Sequence, residues 1–208
     1  MAGSKKGLIS KEDVLNTQEL SNLLGVCGSI RDKFIVYSFV FGGLRVGELS
    51  HLRRSWVNLQ EKTITVPIRQ FCGCRECSYI NKKTGKSKQG IWKPKTKQGA
   101  RTIRIHPYLF PVLKEFLATR DGIGLTRQRI WQRIKELARE AVILHNTYPH
   151  CLRATCATIL AHDNISSPGL QHVLGWARLT SAESYVKSEE KRAIKEQDEI
   201  YNKYSSKT

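Results

Sequence analysis

The chain has 208 residues, 40% of them hydrophobic and 25% charged, which is enough for one well-buried core and too ordinary a composition for disorder or a collagen-like fibre. Its 35 Lys and Arg against 18 Asp and Glu leave a net charge of +17, which calls for a polyanionic partner, nucleic acid first and an anionic membrane second. No apolar run reaches the roughly 18 residues that span a bilayer, and the opening MAGSKKGLISKEDV lacks a hydrophobic signal core, so no membrane partner and a cytoplasmic location are expected.

In chain order, residues 11–24 (KEDVLNTQELSNLL) have the apolar spacing of an amphipathic helix, and after a Gly-Cys-Gly break a more apolar helix runs through DKFIVYSFVFGG. Beyond Gly42 and Gly43, LRVGELSHL places Leu44, Leu49 and Leu52 at helical spacing around Arg45 and Glu48. Residues 57–68 (VNLQEKTITVPI) alternate apolar and polar about β-branched side chains, which predicts one strand, and TIRI at 102–105 predicts a second. The segment between them is a basic, cysteine-containing insert at about 69–96; from 69 to 104 there are eleven basic residues against Glu76 alone. Helices follow in PYLFPVLKEFLATR, in RQRIWQRIKELAREAVILH with Thr126 as N-cap, and from Pro149. A charged tail at about 187–208, with apolar points at Ala193, Ile194, Ile200 and Tyr201, reads as a helix that docks on this domain or on a neighbouring molecule. The whole predicts an α+β fold in one domain, mainly helical with a small antiparallel β-sheet.

Cys72, Cys74 and Cys77 offer three soft ligands where a structural zinc takes four. His106, His51 or a more distant group would complete such a site; the alternative is three free thiols at a tight turn. Cys27, Cys151 and Cys156 are scattered, and with no secretory signal all six read as reduced.

In PHCLRATCATIL, His150 and Arg153 share one helix face, and Pro149 places them in the first turn, where unpaired N–H groups and the helix dipole favour a phosphate. A lone His-x-x-Arg is more often a capping histidine beside a surface arginine. Here the pair stands between two other boxes, GLRVGEL and LGWARLTSAESYV, in that order. The ordered series resembles the catalytic domain of the tyrosine recombinase, or phage integrase, family from about Leu8 to Val186, and the cysteine-containing insert, IWKPKTKQGARTI and the Trp of the third box resemble archaeal members.

The resemblance implies a site-specific recombinase or integrase that cuts and rejoins DNA through a 3′-phosphotyrosine, with Arg45 supported by Glu48, the pair His150 and Arg153, and Tyr185 as nucleophile nine residues after Trp176. It also implies a lysine on a β-hairpin. Lys97 is the choice, with Lys95, on the same face, as the alternative. Two arginines would clamp the equatorial oxygens, His150 would take the Tyr185 proton, Lys97 would protonate the leaving 5′ oxygen, and the Trp176 indole would donate to a phosphate oxygen or simply pack. Lys93, Lys95, Arg101, Arg127, Arg129 and Arg133 are expected to contact DNA. No cofactor is expected in catalysis; the zinc, if bound, would be structural. Double-stranded DNA, a homotetramer on it and association with the nucleoid follow, and the helical core-binding domain that family members carry ahead of this one is expected to be absent. The other readings are a non-catalytic DNA-binding protein of the same fold and a type IB topoisomerase-like relaxase.

Overall fold

The computed structural model describes residues 14–78 and 90–186, together with 85, 194, 197 and 198. Among these residues the helices are α1 (Thr17–Gly25), α2 (Ile30–Val40), α3 (Val46–Leu49), α4 (Leu109–Thr119), α5 (Arg127–Glu140), α6 (Pro149–His162) and α7 (Ser167–Leu174). The strands are β1 (Val57–Asn58), β2 (Thr63–Val66), β3 (Gln70–Phe71), β4 (Ile91–Trp92) and β5 (Arg101–Arg104).

Local chemistry sets the helix starts. The Asn16 side chain accepts from the Glu19 amide while the Glu19 carboxylate accepts from the Asn16 amide, so the expected first helix begins at Thr17. Residues 11–13 of that expectation lie outside the described residues. The hydroxyls of Ser29 and Thr126 cap α2 and α5 by accepting from the Asp32 and Arg129 amides, without the reciprocal bond. Helix α5 stops at Glu140, short of the expected 145, where Val142 turns to a φ of +55°.

Helix α2 is apolar on several sides, and α4, α5 and α6 pack around it. Its Phe34 ring stacks on Phe116 of α4 at 4.0 Å between centroids and 8° between planes. Each fully buried side chain of this kind contributes about 1.5–3 kcal/mol. A second, smaller cluster joins α6 and α7 through Ala154, Cys156, Ala157, Leu170 and Leu174.

The strand expected at 57–68 is two strands. Asn58 Oδ1 accepts from the amides of Gln60 and Glu61, Lys62 adopts a φ of +50°, and the chain reverses between β1 and β2. Strand β2 then pairs antiparallel with β5, Thr65 opposite Thr102, giving the order β1-β2-β5. The insert forms a separate ribbon of β3 and β4.

Helix α7 has no counterpart in the expectations. Ser166 caps it, Pro168 sits in its first turn and Gly175 closes it at a φ of +58°. Residues 180–186 are helical and carry Tyr185. The expected docking helix at 187–208 falls outside the described residues apart from 194, 197 and 198. No helix among the described residues is long and apolar enough to cross a membrane.

Candidate active site

The C-terminal end of α7 organises the site. The last carbonyls of a helix have no intrahelical donor and carry the negative end of its dipole. Here three successive ones each accept from a different arginine: Val173 O from Arg101 Nε at 2.7 Å, Leu174 O from Arg153 Nη2, and Gly175 O from Arg45 Nη2 at 2.6 Å. These arginines come from β5, from the second turn of α6 and from the residue that caps α3, so an 8-residue helix gathers three distant parts of the chain.

Glu48 supplies the only carboxylate that the three guanidinium groups contact among the described residues. It accepts from the Arg45 amide and Nη1, each at 2.9 Å, and from Arg101 Nη1 and Nη2, each at 3.0 Å. Burial by itself would raise its pKa, but the hydrogen bonds and charge of Arg101, with the charge of Arg153, outweigh that and hold the carboxyl ionised below its ordinary range. Burial and the neighbouring Arg45 push Arg153 down to about 9, so it stays protonated at neutral pH while the cluster carries surplus positive charge. That surplus is a site for an anion.

Counting donors separates the roles of the arginines. A guanidinium has five N–H groups. Arg101 commits Nε to Val173, both Nη1 hydrogens to Glu48 and Gly99, and one Nη2 hydrogen to Glu48. It is 6% exposed. Arg101, expected among the DNA contacts, instead braces the site in this structure: four of its N–H groups are committed within the protein and it lies on the inward face of β5 with Ile103. Arg45 uses two N–H groups, on Glu48 and Gly175, and Arg153 two, on Gly43 and Leu174. Each keeps three, enough for a bidentate grip on a phosphate.

Arg45 and Arg153 line one cavity of about 640 Å³ together with His150, Lys95, Lys93, Trp176 and Arg127. His150 lines the cavity and is exposed. Partial desolvation there, then the charges of Arg153, Lys95 and Arg45, hold its pKa below the ordinary imidazole value, so it is neutral and able to accept a proton at pH 7.

Two sequence expectations for this cavity shift. Lys97 opens a 3-10 turn, Lys97–Gly99, and is not among the residues lining the cavity, whereas Lys95 is. The alternation that puts Lys93 and Lys95 on one side ends where that turn begins. Tyr185 is 8% exposed and packs in the second cluster, its ring against Trp176 at 5.4 Å between centroids and 17° between planes. Trp176 lines the cavity and Tyr185 does not, so Trp176 packs on Tyr185 and also borders the cavity, within which the expected donation to a phosphate oxygen would take place.

Of the expected DNA contacts, Lys93, Lys95 and Arg127 face the cavity, and Arg127 also pairs with Glu76 at 2.8 Å. Arg129 is exposed at the start of α5 and bonds Gln132. Arg133 is engaged by Asp32 at 2.8 and 3.1 Å and by Glu136 and Glu140, so it ties α5 to the start of α2.

Gly175 is needed for the whole arrangement. Its positive φ disfavours any side chain, and a Cβ would lie 2.8 Å from the Gln98 carbonyl oxygen and 3.0 Å from Arg101 Nη1. Gly175→Ala is expected to cost about 1–3 kcal/mol, which thermal denaturation would register as a fall of several degrees in Tm. An unchanged Tm would contradict the close approach described here.

The model of the Phage integrase family matches residues 13–192, and the chain belongs to that family. It is 27% identical over 188 residues to tyrosine recombinase XerD of Oceanobacillus iheyensis, covering 84% of this chain and 57% of that protein. It is 27% identical over 186 residues to tyrosine recombinase XerA of Pyrococcus furiosus, covering 83% and 56%. The chain thus spans a little over half the length of these curated relatives. Among solved structures, a XerA recombinase matches with a TM-score of 0.64 at 21% identity over 89% of this chain and 61% of that one. The Tn1549 transposon integrase, solved in complex with a circular intermediate DNA, matches with a TM-score of 0.64 at 20% identity over 87% and 65%. The expected α+β catalytic fold is the fold observed.

Proposed function

We propose that this chain carries out the strand cleavage and rejoining of a site-specific DNA recombinase or integrase, through a phosphotyrosine. The observation that carries this reading is the placing of Arg45 and Arg153 on adjacent carbonyls, Gly175 and Leu174, in a cavity shared with His150, Lys95 and Trp176. Further support comes from the relatives named tyrosine recombinase, from the DNA held by the Tn1549 integrase and from the net charge of +17. Double-stranded DNA is the partner, gripped largely through its phosphates. A homotetramer would bring together the two duplexes to be exchanged.

The Tyr185 oxygen attacks the phosphorus, forming the P–O bond to tyrosine and breaking the bond to the 5′ oxygen. Its proton passes to neutral His150. Lys95 rather than Lys97 protonates the departing oxygen, because Lys95 faces the cavity. The developing charge on the non-bridging oxygens is met by the free donors of Arg45 and Arg153, which are positioned before the substrate arrives and need no reorganisation. Two guanidinium groups provide the charge stabilisation that a divalent ion supplies in other phosphoryl transfers, so the chemistry as proposed uses no cofactor. Rejoining runs the same steps backwards with a new 5′ hydroxyl. Since Tyr185 is packed against Trp176, docking of DNA must shift residues 180–186 enough to expose its hydroxyl to the cavity.

The test is a duplex nicked beside the cleavage site, so that the short 5′ strand diffuses away and the covalent complex accumulates on a denaturing gel. It is run across a pH series with EDTA present only during the reaction. Attachment is expected to persist in EDTA. At subsaturating DNA the acid limb reports the free protein, and since neutral His150 is the active form, the rate is expected to fall with acidity only below the ordinary imidazole value. An acid limb at or above that value would remove His150 from the role of base, and failure to form any complex would overturn the reading.

A further inference from the structure

We propose that His51, Cys72, Cys74 and Cys77 bind one structural zinc ion, which pins the basic ribbon of β3 and β4 to the helix that carries Glu48. The four ligand atoms lie within 4.8 Å of one another. In a tetrahedral site with bonds near 2.3 Å to sulfur, ligand atoms stand about 3.5–3.8 Å apart. His51 Nε2 is 3.4 Å from Cys74 Sγ and 3.3 Å from Cys77 Sγ, so the donors already lie close to the spacing an ion imposes.

The imidazole is oriented for ligation. A carbonyl oxygen can only accept, so His51 Nδ1 carries the proton and donates to Gly47 O at 2.8 Å. Nε2 is then the lone pair, and it is the nitrogen turned towards the sulfurs. This backbone anchor is the kind of support that metal-bound histidines have. The ring also stacks on Trp92 at 5.4 Å between centroids.

The sulfur side is equally built. Cys72 donates its amide to Gly90 O at 2.6 Å, the Gly90 amide donates to Cys77 O at 3.1 Å, and Cys77 and Ser78 both donate to Cys74 O. This closes the Cys-x-Cys-x-x-Cys turn around the histidine. All three cysteines are free thiols, and Cys72 and Cys77 are 8% and 7% exposed. Three thiols and an imidazole select zinc over magnesium or calcium, and four protein ligands leave no open position for a reacting water. Of the two histidines that the sequence offers as fourth ligand, His51 takes the place; His106 stacks on Phe41 instead.

The position explains what such an ion would do. His51 lies two residues beyond α3, whose Glu48 holds Arg45 and Arg101. The cysteines leave β3, and its partner β4 runs directly into Lys93 and Lys95 in the cavity. An ion here would fix the lysine-bearing ribbon relative to the arginines. The metal site stands independently of the proposed reaction; only its effect on strand cleavage rests on that reading.

The test uses the full chain purified under reducing conditions. Elemental analysis after exhaustive dialysis should find about one zinc per chain, and cobalt added to chelator-stripped protein should give the intense visible absorption of tetrahedral thiolate ligation. Cys74→Ser and His51→Ala should lose most of this metal, and Cys27→Ser, a buried thiol elsewhere, should keep it. Metal removal should speed amide exchange at Cys72 and Gly90 while α2 and α6 stay protected. A helical, folded chain with only trace zinc and no thiolate band with cobalt would overturn the site, even if the variants fail to fold. Exchange at Cys72 and Gly90 that ignores the metal would overturn the pinning.

Discussion

Tyr185→Phe is expected to abolish covalent attachment to nicked DNA and leave duplex binding nearly unchanged. Phenylalanine keeps the ring that stacks on Trp176 and packs with Leu170 and Leu174. The substitution removes only a hydroxyl, whose hydrogen bonding is worth a net of about 1 kcal/mol. The fold should therefore persist, and so should the grip on phosphates, which depends on Lys93, Lys95, Arg127 and the arginine pair rather than on this ring. Chemistry has no such reserve, because without the oxygen there is nothing to form the new P–O bond. Attachment is read on a denaturing gel and binding by a mobility shift. Attachment above background in the variant would move the nucleophile to another of the chain's 7 tyrosines.

Arg45→Ala is expected to lower the rate of strand cleavage by about 10³-fold or more, with a much smaller effect on stability. The reason lies in how Glu48 is shared. Removing Arg45 takes away one hydrogen bond to each of Glu48 and Gly175, but Glu48 keeps both of its bonds from Arg101, so no buried carboxylate is left unpaired. Arg45 is also less buried than the other two arginines, its side chain 17% exposed against 1% for Arg101. The same change at Arg101 would leave Glu48 without its strongest partner and confound folding with catalysis. Single-turnover cleavage together with thermal denaturation separates the two effects for Arg45.

The residues proposed to carry the chemistry were legible as candidates because they sit at fixed spacings: Arg45 with Glu48, His150 with Arg153, Trp176 with Tyr185. What holds them was not. Backbone carbonyls carry no sequence signal, so nothing announced that Val173, Leu174 and Gly175 would collect three arginines, and α7 itself went unread although Ser166 and Pro168 mark its start. Arg101 sits in a basic run, which by itself points to the surface. The period-two pattern of β5 was the available clue, since it places Arg101 on the side of Ile103 and Ile105. Lys95 and Lys97 share a face only while the chain is extended, and the 3-10 turn that opens at Lys97 ends that alternation. Arg133 meets Asp32 across 101 residues, a pairing that only the folded chain shows.

The account depends on two guanidinium groups meeting the charge of a single phosphate. The most direct measurement compares wild-type and Arg45→Ala cleavage of two nicked duplexes, one with an ordinary scissile phosphodiester and one with a neutral methylphosphonate at that position. The variant is predicted to lose its roughly 10³-fold on the phosphodiester and to recover most of it on the neutral linkage, where one anionic oxygen is gone and the charge that develops on the other can be met by Arg153 alone. An equal loss on both substrates would contradict the clamp and leave Arg45 as a structural residue.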